Sequence, residues 1–179
     1  MVDTSDTEAG DAGSTAETRI NALLTLPDGG QSPITVAAAE SLTGGKVSAR
    51  ITAISGSSGY FLGGIVAYSN AAKASLLGVS EETLATRGAV SAECVREMAE
   101  GARRAFGADL AVATTGIAGP GGATERKPAG LVYIGLAGTD GVTTEEFRFP
   151  GGRAVVTDAS TEAALLMLLR GLERRLGKG

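Results

Sequence analysis

Residues 34–45 read ITVAAAESLTGG and contain the transition that decides the fold. The apolar run 34–39 lies between turn-forming segments, which is typical of a short buried strand. The polar turn that begins at Glu40 leads through Gly44 and Gly45 into a segment that we expect to be helical to about residue 54. A strand that passes through a tight turn into a helix is the basic unit of α/β proteins. This stretch therefore predicts an α/β fold.

The rest of the sequence repeats this alternation and ends differently. Further strands are predicted at 62–68 and 110–114, and helices at 16–24, 70–77, 81–86, 91–106 and 154–176. Segments 131–137 and 143–149 flank an Asp140-Gly141 turn, the pattern of an antiparallel hairpin. Together these elements predict a three-layer α/β/α sandwich with a mixed, mostly parallel sheet.

The length and the charge distribution favour one domain behind an acidic tail. The chain has 179 residues, 43% hydrophobic and 20% charged, which is the composition of one globular domain. Residues 1–18 carry five acidic and no basic side chains, whereas the rest carries 16 basic and 15 acidic ones. We expect residues 1–15 to be disordered, because they contain too little apolar surface to offset the entropy of ordering. Residues 16–179 are expected to form the single domain.

The remainder of the chain, from residue 19 onward, is nearly neutral, and this argues against two classes of partner. It has neither the basic stripe of a nucleic-acid binder nor a polybasic membrane patch. The N-terminal residues lack the apolar core of a signal peptide, and no apolar run reaches the roughly 18 residues that span a bilayer. We therefore expect a cytoplasmic protein with no nucleic-acid and no membrane partner.

The residue types that are missing restrict the chemistry. The chain has no histidine and one cysteine, Cys94, which lies in a predicted amphipathic helix and is expected to be packed and inert. A Ser-His-Asp triad, a Cys-His pair, a histidine-bearing zinc site and an intramolecular disulfide are excluded. We expect no metal and no cofactor. Acid–base chemistry is left to lysine, tyrosine, carboxylates or an activated hydroxyl.

Three polar, glycine-rich segments, 40–45, 68–73 and 115–122, each follow a predicted strand. Because ligands of open α/β sheets bind beyond the carboxyl ends of the strands, we expect the three to converge on one crevice. Segment 115–122 is equally suited to binding an anion through its backbone amides and to forming a tight turn. Lys127 and Arg153 are cations available to a phosphate group.

Ser41, Lys73 and Tyr68 are candidate catalytic residues with plainer alternatives. A serine at a sharp strand-to-helix turn is placed as a nucleophile, but a Ser41 or Thr43 that merely caps the helix is the commoner arrangement. Lys73 falls in the first turn of a predicted helix, where the helix dipole opposes a cation and lowers the lysine pKa. The alternative is an ordinary solvated lysine.

Taken together, these segments resemble the C-terminal domain of the competence/damage-inducible protein CinA, a family that includes stand-alone nicotinamide-nucleotide amidases. The resemblance spans about residues 35–172. It rests on five patterns in order: residues 39–45, Tyr68-Ser69-Asn70-x-x-Lys73, residues 88–91, residues 115–122 and residues 127–130.

This resemblance implies hydrolysis of the carboxamide of nicotinamide mononucleotide to nicotinate mononucleotide and ammonia, in pyridine-nucleotide salvage. It implies a Ser41–Lys73 nucleophile pair assisted by Tyr68, no metal, and a homodimer or higher homo-oligomer. The residues that it implies in substrate binding are Glu40, Thr43, Gly44, Gly45, Asn70, Thr115, Gly116, Gly119 and Arg153.

Two alternatives to the amidase come from other classes. One is a non-catalytic nucleotide-binding module that regulates a partner, which would not need both Ser41 and Lys73. The other, a phosphatase or phosphotransferase, fits less well, because the sequence has no metal-ligand cluster and no Walker lysine.

The sequence departs from the family pattern near the last helix. The family usually has Gly-Asp-Arg there and a second arginine four residues later. Here the segment reads Gly151-Gly152-Arg153, and Thr157 stands at the later position. We expect Arg153 to remain available for a phosphate, and the missing arginine to affect affinity and substrate choice.

Overall fold

A five-stranded sheet forms the centre of the computed structural model, which describes residues 14–26, residue 30 and residues 32–178. The strands are β1 (Val36–Glu40), β2 (Phe61–Val66), β3 (Leu110–Gly116), β4 (Leu131–Gly138) and β5 (Gly141–Arg148). The helices are α1 (Ala16–Leu24), α2 (Lys46–Thr52), α3 (Asn70–Leu77), α4 (Glu81–Thr86), α5 (Ala92–Phe106) and α6 (Arg153–Arg175), with a 3-10 turn at Ser57–Gly59.

The sheet has the order β2-β1-β3-β4-β5 and a mixed topology. β1 pairs in parallel with β2 and β3, whereas β4 is antiparallel to β3 and β5. Four strands therefore run in one direction and β4 runs in the other. Because β1, β2 and β3 are parallel, their carboxyl ends meet at one edge of the sheet, and the segments that follow them lie together there.

Helices cover both faces of the sheet. On one face, α1, α2 and α6 pack around a core that includes Ile20, Val47 and Leu168. On the other face, α3 and α5 pack around a second core that includes Leu77 and Met98. This arrangement confirms the predicted three-layer α/β/α sandwich with a mixed sheet.

Several element boundaries differ from those predicted. β2 ends at Val66 rather than at residue 68, because its pairing partner β1 ends at Glu40 and the chain then turns. α2 ends at Thr52 rather than at residue 54. Except for residues 14 and 15, the predicted tail lies outside the described residues. None of the helices in the described ranges combines the length and the apolar character needed to cross a membrane.

α5 lies unusually close to its neighbours because the surfaces around it are built from small residues. The strand residues under it are alanines, all buried: Ala37, Ala39, Ala111 and Ala113. A Cβ at Gly135 of β4 would come within 3.0 Å of the Val95 carbonyl oxygen, and a Cβ at Gly101 would overlap the backbone carbonyl of Leu77 at the end of α3. α5 therefore depends on Gly101 for its contact with α3.

We expect Gly101→Ala to destabilise the protein by about 2–3 kcal/mol, because a methyl group there overlaps backbone that is not free to move. Helix propensity alone predicts the opposite sign, since alanine is favoured over glycine inside a helix by about 1 kcal/mol. Urea unfolding measures the difference. Gly121→Ala is the matched control, because a Cβ there meets no atom within 4 Å and its backbone angle is ordinary. A stabilised Gly101→Ala variant would contradict the close contact.

Candidate active site

A cavity of about 230 Å³ opens where the parallel strands end, at the carboxyl edge of β1 and β3. The three segments 40–45, 68–73 and 115–122 each contribute to its wall, so they converge as expected. Seven of the twelve predicted site residues line it: Ser41, Tyr68, Asn70, Lys73, Thr115, Gly116 and Arg153. The other five are not among its lining residues: Glu40, Thr43, Gly44, Gly45 and Gly119.

Glu40 shapes the turn that carries Ser41 and does not itself line the cavity. Its carboxylate is 1% exposed. One oxygen, Oε2, accepts from the Thr43 hydroxyl at 2.8 Å and from the amides of Gly45 and Val47 at 2.9 and 3.0 Å. The other, Oε1, accepts from the amide and hydroxyl of Ser48 at 2.9 and 2.7 Å. Glu40 and Thr43 are thus engaged in holding the start of α2, where the helix dipole favours a negative charge.

The Ser41 and Thr43 hydroxyls do not cap α2, so the capping alternative is wrong. The N-cap position is Gly45, and the Glu40 carboxylate takes the role that a capping hydroxyl would have. Gly44 and Gly45 have φ angles of 60° and 102°, a backbone conformation that residues with side chains rarely adopt. Their function in the described structure is to form the turn, and the Ser41 hydroxyl remains available for another partner.

That partner is Lys73. The two side chains are buried, with 8% of Ser41 and 2% of Lys73 exposed, and Lys73 Nζ lies 2.9 Å from Ser41 Oγ. Lys73 Nζ also donates to the Ala67 carbonyl at 2.9 Å and approaches the Tyr68 carbonyl at 3.5 Å. Lys73 is not a solvated surface lysine, so that alternative is wrong as well.

The N-cap of the helix that carries Lys73 is Ser69, whose hydroxyl accepts from the amide of Ala72 at 3.1 Å. Asn70 is the first helical residue, and its exposed side chain lines the cavity. Lys73 falls in the first turn of α3 as predicted, where the helix dipole disfavours a positive charge.

Burial lowers the pKa of Lys73, because the ammonium loses its hydration and forms no ion pair among the described residues. The thiol of Cys94 acts in the opposite direction. However, burial raises the pKa of Cys94 itself to about 11, so this thiol is neutral at neutral pH. Cys94 is fully buried, as expected. The surroundings of Lys73 therefore favour the neutral amine.

The Tyr68 hydroxyl binds Arg153 rather than the Ser41–Lys73 pair. The Tyr68 side chain is 58% exposed, and its hydroxyl accepts a hydrogen bond of 2.5 Å from Arg153 Nη2. Arg153 Nη1 donates to the Gly119 carbonyl at 3.3 Å. Only the Tyr68 backbone carbonyl faces Lys73. The structure thus connects Tyr68 and Gly119 to the cation at the start of α6.

Thr115 and Gly116 line the cavity at the end of β3. Thr115 is 1% exposed, and its hydroxyl donates to the Ala89 carbonyl at 2.7 Å. A Cβ at Gly116 would come within 2.7 Å of the Leu131 carbonyl oxygen, so the close pairing with β4 excludes a side chain there. Thr115 therefore ties β3 to the segment that contains Ala89.

The position of the second family arginine lies away from the cavity. Thr157 is buried, donates to the Ala154 carbonyl at 2.9 Å and accepts from Lys46 Nζ at 3.0 Å. Lys46 also pairs with Asp158 at 2.5 Å. Of the two positions, only Arg153 lines the cavity.

Sequence reasoning did not single out seven of the residues that line the cavity. They are Leu42, Ala89, Val90, Ile117, Ala118, Gly121 and Gly122. All belong to segments that carry the family pattern, but none has a reactive side chain, so nothing in their chemistry marks them. Lys127, considered as a phosphate ligand, is not among the lining residues and donates to the carbonyls of Arg87 and Val90.

Comparison with known proteins yields one consistent family. The family model described as the CinA C-terminal domain matches residues 27–172. A CinA-like protein of Mycobacterium sp. strain JLS is 51% identical over 140 residues, which cover 78% of this chain and 33% of the relative. A CinA-like protein of Geobacter sulfurreducens is 49% identical over 139 residues, 78% of this chain and 34% of the relative.

The solved structures agree with the sequence comparisons. The competence/damage inducible protein CihA from Agrobacterium tumefaciens has a TM-score of 0.81 and 42% identity, covering 88% of this chain and 93% of that one. A CinA superfamily protein from Enterobacter cloacae has a TM-score of 0.81 and 31% identity, covering 96% and 99%. The chain spans about a third of the length of the two CinA-like relatives. It belongs to the CinA C-terminal domain family.

Proposed function

We propose that this protein hydrolyses the carboxamide of nicotinamide mononucleotide, giving nicotinate mononucleotide and ammonia. The observation that carries the proposal is the buried contact of 2.9 Å between Lys73 Nζ and Ser41 Oγ in a cavity at the end of the parallel strands. A chain without histidine needs another base to activate a serine, and a desolvated lysine is suited to that role.

As an ammonium, Lys73 Nζ donates to Ser41 Oγ, but the proposed reaction needs it as a neutral amine. Such an amine has two N–H bonds and one lone pair. The carbonyls of Ala67 and Tyr68 are placed to accept the N–H bonds, and the lone pair then faces Ser41 Oγ. In this state the Ser41 hydroxyl donates its hydrogen to Nζ, which is the geometry that a general base requires.

The reaction follows in two halves. Ser41 Oγ attacks the carboxamide carbon while Lys73 takes the hydroxyl proton, and a tetrahedral intermediate forms. Lys73 then returns the proton to the departing nitrogen, the C–N bond breaks, and ammonia departs. The acyl group remains bound to Ser41 as an ester. Water, deprotonated by Lys73, attacks this ester. The C–O bond to Ser41 breaks as Lys73 passes the proton to the Ser41 oxygen, and nicotinate mononucleotide is released.

The oxyanion of the intermediate needs hydrogen-bond donors beside Ser41. The amides of Leu42 and Thr43 follow Ser41 directly and donate to no acceptor among the described residues. We assign the oxyanion to these two groups. A donor of this kind stabilises the transition state by about 3–4 kcal/mol.

Arg153 supplies the contact for the phosphate. It stands at the first position of α6, where the helix dipole adds a positive partial charge, and it lines the same cavity as Ser41. The Tyr68 hydroxyl and the Gly119 carbonyl hold its guanidinium from two sides. A bidentate contact with a phosphate is the geometry that arginine provides best.

The catalytic pair is tested by substitution. We expect Ser41→Ala and Lys73→Met each to lower kcat by about 10³-fold, with the double variant no worse than either single one, because the two residues act as one unit. Ammonia release from nicotinamide mononucleotide is the measurement. Ser75→Ala, on the exposed face of α3, is the control and should remain active. A wild-type protein that binds the nucleotide but releases no ammonia would favour a regulatory module.

Lys73→Arg separates a base from a mere positive charge. Arginine keeps the charge but does not release its proton near neutral pH. We therefore expect no recovery of ammonia release. Near-wild-type activity of Lys73→Arg would overturn the general-base role.

The general-base role of Lys73 predicts the direction in which kcat/KM changes with pH. A free lysine with a pKa near 10.4 is neutral in only about one molecule in 2,500 at pH 7. Burial lowers the pKa of Lys73, so we expect kcat/KM to rise with pH and to level off well below pH 10. A profile that is flat from pH 6 to pH 10 would contradict this assignment.

The same pKa shift predicts a gain of stability on substitution. Between the lowered pKa of Lys73 and the ordinary 10.5, the unfolded chain binds more protons than the folded one, so stability rises with pH. Lys73→Met removes the buried amine. We expect it to raise the free energy of unfolding at pH 7, with the gain vanishing above pH 10.5. Urea unfolding at several pH values measures this, and a gain that is independent of pH would contradict the linkage.

The phosphate contact is tested with two substrates. We expect Arg153→Ala to raise KM for nicotinamide mononucleotide by about tenfold or more, and KM for phosphate-free nicotinamide riboside far less, because only the former loses a charge-assisted contact. Equal effects on both substrates would remove Arg153 from the phosphate site.

A further inference from the structure

Ala89 and Val90 of the segment 87–90 line the cavity, and the carbonyls of all four residues in the segment are held by side chains. Lys127 Nζ donates to the carbonyls of Arg87 at 2.6 Å and Val90 at 2.7 Å. The Ser91 hydroxyl donates to the Gly88 carbonyl at 2.9 Å, and the Thr115 hydroxyl to the Ala89 carbonyl at 2.7 Å. Four consecutive carbonyls therefore accept from the side chains of three different parts of the fold.

The amides of Arg87 and Gly88 both donate to the Thr83 carbonyl at 2.9 Å, whereas the next two amides have no such partner. The N–H groups of Ala89 and Val90 donate to no acceptor among the described residues, and both residues line the cavity beside Ser41 and Lys73. With its carbonyls all engaged, the segment has only donors and methyl groups left to offer a ligand. N–H donors suit oxygen acceptors, and with the phosphate assigned to Arg153 these are the oxygens of the nicotinamide riboside part.

Lys127 is the main support of this wall. It comes from the loop between β3 and β4, is half-buried, and reaches both ends of the segment with one ammonium group. Charge-assisted hydrogen bonds of this length are the strong ones, so its loss frees two carbonyls at once. Lys127 does not line the cavity, and its donors point at backbone oxygens rather than at a phosphate position.

We infer that segment 87–90 recognises the nicotinamide riboside part of the substrate, and that Lys127 is a positioning residue which holds this segment in place. The inference rests on the proposed function for the identity of the substrate. It assigns Lys127 a different role from Arg153, since Lys127 acts on the part of the ligand that phosphorylated and phosphate-free substrates share.

The test compares Lys127→Met with Arg126→Met, which removes a positive charge from an exposed neighbour in the same loop. We expect Lys127→Met to raise KM for nicotinamide mononucleotide and nicotinamide riboside by the same factor, about tenfold or more, because a displaced recognition group costs that much. Its kcat should stay within about threefold of the wild-type value, since the Ser41–Lys73 pair is untouched. For the same reason the pH profile, which reports Lys73, should not shift. Arg126→Met should behave as the wild type.

Three results would overturn the inference. A loss confined to the phosphorylated substrate would make Lys127 a phosphate ligand. An unchanged KM for both substrates would show that segment 87–90 does not recognise them. A fall in kcat with an unchanged KM, or a shifted pH profile, would show a general disturbance of the site.

A binding measurement keeps the inference testable if Lys127→Met does not fold or if the wild type is inactive. In the otherwise intact Ser41→Ala protein, we expect either substrate to slow hydrogen exchange at the Ala89 and Val90 amides. Unchanged exchange of these amides with bound substrate would refute the inference that segment 87–90 recognises the substrate. Slowed exchange together with a wild type that releases no ammonia would refute the proposed reaction but support recognition of the nucleotide by segment 87–90.

Discussion

The contact on which the site depends is that between the Glu40 carboxylate and the first turn of α2. Five donors converge on this one buried side chain: three backbone amides and two hydroxyls. A buried charge without such partners would be very costly, and with them it fixes the backbone that supplies the amides. The next residue in the chain is Ser41, so the direction of its hydroxyl follows from the contact that Glu40 makes. Even the neighbouring strand contributes, because a Cβ at Gly64 would overlap the Ser48 side chain that donates to Glu40.

Glu40 and Lys73 are the two charged residues that are buried in the described part of the chain, and they are treated in opposite ways. Glu40 is surrounded by donors at a helix N-terminus, an environment that stabilises a negative charge. Lys73 also lies in a first helical turn, but it has two carbonyls, a serine and no acid for partners. The same feature of the backbone therefore stabilises one charge and disfavours the other. A rigid turn and a lysine with a lowered pKa therefore arise from one type of element used twice, and the proposed Ser-Lys pair would need both.

The sequence predicted the sandwich, all six α-helices of the described residues and the convergence of three segments, because strand-turn-helix patterns and glycine-rich turns are local signals. It also identified Ser41, Lys73 and Arg153, whose side chains have recognisable chemistry. Its assignment of Glu40 and Thr43 to substrate binding stays a prediction; in the described structure their side chains hold the start of α2. A carboxylate beside a serine has the same sequence pattern whether it faces a ligand or a helix. Whether Gly44, Gly45 and Gly119 contact substrate stays a prediction. Ala89 and Val90, which line the cavity, could not be found from their side chains, since only their backbone is polar. That backbone is held by Thr115 and by Lys127, which lies 37 positions further along the chain from Val90.

The cavity has a gradient of exposure that would orient a nucleotide. At one end, Ser41 and Lys73 are almost inaccessible to water, and the lowered pKa of Lys73 depends on that dryness. At the other, the Tyr68 and Arg153 side chains are exposed, and a guanidinium there retains its charge at little cost. A doubly charged phosphate would lose far more hydration at the dry end than an uncharged carboxamide would. For the proposed substrate, desolvation alone would therefore direct the carboxamide to Ser41 and the phosphate to Arg153, before any specific contact to the ribose is counted.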